Sequence, residues 1–193
     1  MNALPRCLFW RRTDTGGAEH VVFDDRRGLH ARGVAVAQDS ASYACRYELT
    51  TDDAWNTTRF EATAEGAGWW RSLRMQRGAD GWRVTASEQG TLAGAALPGA
   101  EDPDRFYDAR DVDLYASPLT NTLPLRRLRP AVGDTFTITA AWVLLPSLAV
   151  VASEQTYTVL APGRVRYRSG TFTADIEIDD ASYVIDYPGL GTR

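Results

Sequence analysis

Hydrophobic and polar positions alternate with a period of two over most of this chain. Thr171-Phe172-Thr173-Ala174-Asp175-Ile176-Glu177-Ile178-Asp179 alternates without a break, and so does the run from Thr135 to Trp142. Tyr43, Cys45, Tyr47 and Leu49 share one face of a predicted strand, with Arg46 and Glu48 on the other. A strand sends successive side chains to opposite faces, so the pattern predicts antiparallel sheet with one buried and one wet face. Further strands are predicted near 8–12, 19–24, 33–37, 58–64, 69–76, 82–86, 155–160, 164–168 and 183–187. Turn formers separate these runs: Thr15-Gly16-Gly17, Arg27-Gly28, Gly78-Ala79-Asp80-Gly81, Ala161-Pro162-Gly163 and Ser169-Gly170. Such short connections join consecutive hairpins. The predicted fold is all-β: a single highly curved antiparallel sheet, a half-barrel or barrel-like, with little helix. No internal repeat or long linker divides residues 1–193, which predicts one domain.

Three segments break the alternation. Residues 51–55 read as a turn with Asp acceptors, and 91–110, rich in Ala, Gly, Pro and acids, reads as a long mobile loop. The third is DVDLYASPLTNTLPLRRL, from Asp111 to Leu128. On a strand Asp111 and Asp113 point to one face, roughly 6.5–7 Å apart. Paired carboxylates at about that separation hydrolyse glycosidic bonds, but any wet strand face gives the same spacing. Thr120-Asn121-Thr122 lies between Pro118 and Pro124, which hold the residues before them extended. Its short polar side chains either lock a corner or form a ledge toward a ligand. The corner reading has Asn121 bonding backbone across the 117–124 turn, and Arg126 or Arg127 pairing with a carboxylate of a neighbouring strand. Trp69 and Trp70 are neighbours and so face opposite sides of a strand, putting one indole on the wet face as a ring platform or under a second layer. The apolar run 144–151 is too long for a half-exposed strand and lines a cavity or covers one end of the sheet.

Composition narrows the function. The chain is 44% hydrophobic with a formal charge of −4, its basic residues are all Arg, and carboxylates lie between the Arg pairs. There is no basic stripe, so no nucleic-acid partner is expected. No apolar run suits a signal peptide or a transmembrane segment, which predicts a cytoplasmic protein. Cys7 and Cys45 lie in apolar, strand-like contexts and read as two buried thiols. His20 and His30 are far from both, so neither a metal nor another cofactor is expected. No nucleophile elbow, P-loop or dinucleotide fingerprint occurs, and no catalytic residue is assigned.

DVDLYASPLTNTLPLRRL, LPSLAVVASEQTYTVL and the C-terminal DYPGL resemble, in order and spacing, the putative glycolipid-binding family of bacterial proteins. Glu19, Gly33, Tyr47-Glu48-Leu49, Trp55 and Arg59 extend the likeness upstream. Two departures stand out: Leu119 replaces a Phe of the family pattern, and the connection 97–110 is longer and lacks a Cys. The resemblance implies a half-barrel sheet like those of envelope lipoprotein carriers, with a lipid or glycolipid as ligand. The expected site holds an apolar chain against the curved sheet, with a polar ledge at its mouth. Its expected ligand-binding residues are Asp111, Asp113, Thr120, Asn121, Thr122, Arg126, Glu19, Trp69 and Trp70. Two alternatives stand beside it. One is a carbohydrate hydrolase using Asp111 and Asp113, or Glu19, as acid and base. The other is a structural or interaction protein without a ligand.

Overall fold

A computed structural model describes residues 6–38 and 41–193. Seven strands run in sequence order: β1 (Arg6–Arg12), β2 (Gly16–Asp24), β3 (His30–Gln38), β4 (Ser42–Thr51), β5 (Thr57–Gly66), β6 (Trp69–Gly78) and β7 (Gly81–Gly90). A cover segment, 91–110, leads to β8 (Asp111–Leu114), and a bend leads to the short helix α1 (Thr122–Leu128). The chain ends in β9 (Thr135–Val143), β10 (Val150–Ala161), β11 (Arg164–Ser169), β12 (Phe172–Ile178), β13 (Val184–Tyr187) and β14 (Gly191–Thr192).

All fourteen strands form one sheet, in the order β7-β6-β5-β4-β3-β2-β1-β14-β13-β12-β11-β10-β9-β8. The first and last strands meet at its centre through the short seam Arg11↔Thr192 and Arg12↔Gly191. From there the two halves meander outward and curl toward each other. Thr57 donates its N–H to the Arg110 carbonyl at 2.8 Å, and its hydroxyl accepts the Val112 N–H at 3.3 Å, so β8 reaches the start of β5 without pairing with it. The sheet is therefore strongly curved and open. The expected curved, mainly antiparallel sheet is present, with one parallel pair at its edge: β8 pairs with β9, Asp111↔Ala140 to Leu114↔Val143. The long excursion through α1 brings the chain back to run in the same direction beside β8, a crossover that a tight hairpin could not make.

The predicted alternation holds along β2 to β6, β10 and β11, as in the burial of Tyr43, Cys45, Tyr47 and Leu49 on β4, while the end of β7 is exposed on both faces and β9 buries the adjacent Ala140 and Ala141. The inner face is filled by the protein's own side chains. Trp10, Trp55, Phe60, Trp69 and Trp82 meet Phe106, Leu119, Leu123 and Leu148 in one core, and Tyr157, Tyr167, Ile176 and Tyr187 form a second. The segment 91–110, expected to be mobile, is an anchored cover. Phe106 is buried, the Ala109 carbonyl accepts from Trp82 Nε1 at 3.0 Å and Arg77 Nε at 3.1 Å, and Gly99 bridges to Ala149. The apolar run 144–151 forms a tight turn whose Leu148 is wholly buried, then opens β10. Cys7 also departs from expectation: it is exposed on the outer face of β1 while Cys45 is buried, and both are free.

Candidate functional site

Two polar systems are built from the residues singled out in the sequence, and both lie beneath the surface. The first centres on Glu19 of β2, only 2% exposed. Tyr47 Oη donates to its Oε1 at 2.5 Å and Ser117 Oγ to the same atom at 2.6 Å, while Oε2 is buried without a partner. Burial pushes the Glu19 carboxyl up to about 7, against the pull of the two hydroxyls and of the Leu119 backbone. Burial and the nearby Glu19 likewise raise the Cys45 thiol to about 12. Gly33 makes this arrangement possible. It stands opposite Tyr47, whose ring lies so close over it that a Cβ there would come within 2.2 Å.

The second system runs from β8 to β10. Asp113 accepts from Thr120 Oγ1 and from Gln155 Nε2, each at 2.7 Å. Tyr157 Oη donates to Gln155 Oε1 and accepts from Asn121 Nδ2, each at 3.1 Å. Asn121 thus bonds a side chain of β10 rather than backbone across its own turn, a correction to the corner reading. The helix starts directly at Thr122 and leaves the amide free to point inward. Burial raises the Asp113 carboxyl to about 6, with the neighbouring Asp111 charge adding to the rise. Asp111 is buried as well and pairs with Arg127, Nη2 to Oδ2 at 2.5 Å. Arg126 takes a different partner: it lies over the Trp55 ring, 4.3 Å from the centroid, and donates to the Ala181 carbonyl at 3.1 Å. Thr122 is fully buried and its hydroxyl has no partner.

The bend 115–121 joins the two systems, with Ser117 bonded to Glu19 and Thr120 to Asp113. Trp69 packs in the core, and Trp70 stands on the outer face, 37% exposed. Sequence reasoning missed Arg71. It is 3% exposed on the inner face of β6, donating to the Ala96 carbonyl at 2.5 Å and the Ser147 carbonyl at 3.0 Å, with Glu88 as ion-pair partner at 2.9 Å. It ties the cover 91–110 to the turn 144–149. The available signal was an Arg on the apolar face of Trp69, Leu73 and Met75.

The outer face was missed too. Across β2–β7 it is dished into an open trough of about 780 Å³. Strand register sets its rows. One row reads Phe9, His20, Val34, Arg46, Thr63, Ser72, Ser87; the next reads Cys7, Val22, Arg32, Glu48, Glu61, Arg74, Thr85. Val36 and Trp70 belong to a third row with Ala44 and Glu65. The apolar members Phe9, Val22, Val34 and Val36 gather over β1–β3 and are 37–53% exposed. From β4 to β7 the side chains of the first two rows are charged or hydroxylated, and Glu61 Oε1 pairs with Arg59 at 2.8 Å and Arg74 at 2.5 Å. Together these features make an amphipathic surface concavity.

The family model described as "Putative glycolipid-binding" matches residues 7–193. A crystal structure of a DUF1089 family protein from Pseudomonas aeruginosa is similar to this chain: 28% identical, covering 91% of each chain, with a TM-score of 0.74. No curated protein matches. Among the described residues no helix is long and apolar enough to cross a membrane.

Proposed function

The chain belongs to this family, and from that premise we propose that it binds an amphipathic lipid in the outer trough of β2–β7. The observation that carries the reading is the trough's composition: exposed Val22 and Val34 line one end beside His20 and Arg32, with Phe9 and Val36 exposed just outside it, and hydroxyls and charges line the other end. Exposed apolar side chains gathered beside a polar concavity mark a binding surface more than scattered ones do. An acyl chain half-buried there over about ten carbons gains several kcal/mol, at ~0.8 kcal/mol per buried CH₂.

The inner face is the less suitable place for that chain, because indole, phenol and aliphatic side chains already fill it. On this reading Glu19, Asp111, Asp113, Thr120, Asn121, Thr122 and Arg126 act from beneath. They fix β2, β8 and α1 against one another and so set the curvature of the strands that carry the trough. Trp69 anchors β6 from the inside, and Trp70 stands on the outer face beside the trough rather than in its lining.

The test is a titration of delipidated protein with a fluorescent fatty acid. Val34→Asp and Phe9→Asp change exposed side chains, so the fold tolerates them. Each should weaken binding about tenfold or more, the cost of one misplaced charge against a chain methylene. Binding that is saturable yet indifferent to both variants would remove the trough as the site.

A further inference from the structure

Independently of any ligand, we infer that the free edge of β7 docks a second copy of this chain, the two β7 strands pairing antiparallel about a two-fold axis at Ala86. The sheet ends at β7 and β8. β8 has four residues, and its free side is occupied: Arg110 and Val112 bond Thr57, and Thr120 Oγ1 accepts the Leu114 N–H at 3.3 Å. β7 has ten residues and pairs with β6 along its whole length without a bulge. Gly78 and Gly81 flank a two-residue turn and so form a bonded pair, which by alternation turns the odd-numbered residues of β7 toward β6. Val84, Ala86 and Glu88 therefore send their N–H and C=O groups outward, and among the described residues these groups have no backbone partner. Pro, Lys, a bulge or a covering segment guards most such edges. β7 has no Pro, Lys or bulge. The cover 91–110 reaches it at Gly81, Trp82 and the Ala86 methyl, through Tyr107, Ala109 and Gly99, and every residue from Thr85 to Gly90 is exposed.

The edge is complementary to itself. About a two-fold axis perpendicular to the sheet, the residue at the axis fixes every other pair. With Ala86 there, Val84 faces the partner's Glu88, Ala86 the partner's Ala86, and Glu88 the partner's Val84, each pair exchanging two backbone bonds. An axis at Thr85 brings Glu88 to Trp82, which Ala109 covers; an axis at Ser87 needs Gly90, whose φ of +79° ends the extended run. Either shift loses one of the three pairs. On the outer face the Ala86 register sets Thr85 against the partner's Ser87 and Arg83 against the partner's Gln89, so hydroxyl meets hydroxyl, guanidinium meets amide, and no like charges oppose. The Glu88 charge is already met by Arg71 at 2.9 Å. Thr85 and Ser87 line the outer trough, so the partner's Ser87 and Thr85 extend its floor across the axis.

Analytical ultracentrifugation of the full chain should show monomer and dimer in exchange, with a dissociation constant of about 10–100 μM, the range of a small edge interface. At ten times that constant the amides of Val84, Ala86 and Glu88 should exchange about fivefold more slowly than in the dilute protein, while Arg83, Thr85 and Ser87, which bond β6, stay unchanged. Ala86→Lys and Ala86→Glu each set like charges across the axis and should weaken the dimer about tenfold or more. An equal mixture of the two should restore it, because position 86 meets its own counterpart in this register alone. Should either charge disturb the fold, Ala86→Pro removes the central outward N–H at a site where an edge strand tolerates Pro, and should abolish the dimer with the melting temperature kept. A monomer at about 1 mM, a dimer indifferent to all three substitutions, or like-charge variants that the mixture does not rescue overturns the inference. Slowed exchange at these three amides only after another protein is added gives the edge to that protein and overturns it equally.

Discussion

Replacing Glu19 by Gln tests whether the buried carboxyl carries a proton in the folded protein. Burial pushes it from 4.5 to about 7, with two hydroxyls donating to Oε1 and no cation to hold it ionised. The folded state then binds this proton more tightly than the unfolded state does. Between about pH 4.5 and 7 the unfolded chain has released it and the folded chain keeps it, so stability must fall as pH rises through that window. Below the window the contribution is complete, and above it the contribution is lost. At about 1.4 kcal/mol per pH unit, the gap between 4.5 and about 7 amounts to about 3 kcal/mol. Asp113, raised from 3.8 to about 6, acts with the same sign slightly lower on the scale. Asp14, Asp24 and Asp175 are held low by Arg12, Arg26 and Arg166 and act with the opposite sign only in more acidic solution.

Gln keeps the shape of the side chain and removes the titration. Its NH₂ replaces the partnerless Oε2 and costs about 1–3 kcal/mol as an unsatisfied buried donor. The variant should therefore be clearly weaker than the wild type at pH 4.5, with the difference shrinking by about 3 kcal/mol by pH 8. Urea unfolding followed by Trp emission at pH 4.5, 6 and 8 measures this directly, provided the m-value stays constant. Parallel stability profiles for the two proteins would refute the reasoning, since Glu19 would then be ionised in the fold or not buried.

Gly33→Ala should cost about 2–5 kcal/mol, because its Cβ would force the Tyr47 ring off Glu19; a melting temperature within 2 °C of wild type would show that the ring has another seat. Asn121→Ala should cost about 1–3 kcal/mol by orphaning Tyr157 Oη, and an unchanged denaturation midpoint would mean that this bond is dispensable.

Much of the fold was legible because one-sided burial leaves a period of two on each strand. The failures have local causes. β8 and β14 span four and two residues, too few to establish a period. Parallel pairing of β8 with β9 leaves no mark in either strand's own pattern. The cover 91–110 is held by side chains of β6 and β7 bonding backbone carbonyls, and a carbonyl looks the same at every position of a sequence. The Asn121 amide finds its partner 36 residues away. The motif 111–128 stood out correctly as unusual, but its residue types suit internal locking and ligand contact equally well. Only burial distinguishes the two. The trough had a readable trace in the valines on the wet face of β2 and β3. Its concavity comes from sheet twist, which no alternation encodes.

The inner frame and the outer trough share strands so closely that one residue separates them. Glu19 points inward and His20 outward on β2; Tyr47 points inward between Arg46 and Glu48, which point outward on β4. Here a single pair of variants tells an internal ledge from an external site. If the ligand reaches Glu19, Glu19→Gln at pH 5 must change affinity sharply, because a buried contact partner has been altered. If the ligand lies in the trough, Glu19→Gln at pH 5 removes stability while affinity for the fluorescent fatty acid stays within about twofold, and Val34→Asp does the reverse. Affinity measured by titration and stability measured by urea on the same samples give both numbers. Loss of affinity in Glu19→Gln, with Val34→Asp binding normally, would move the site to the inner face.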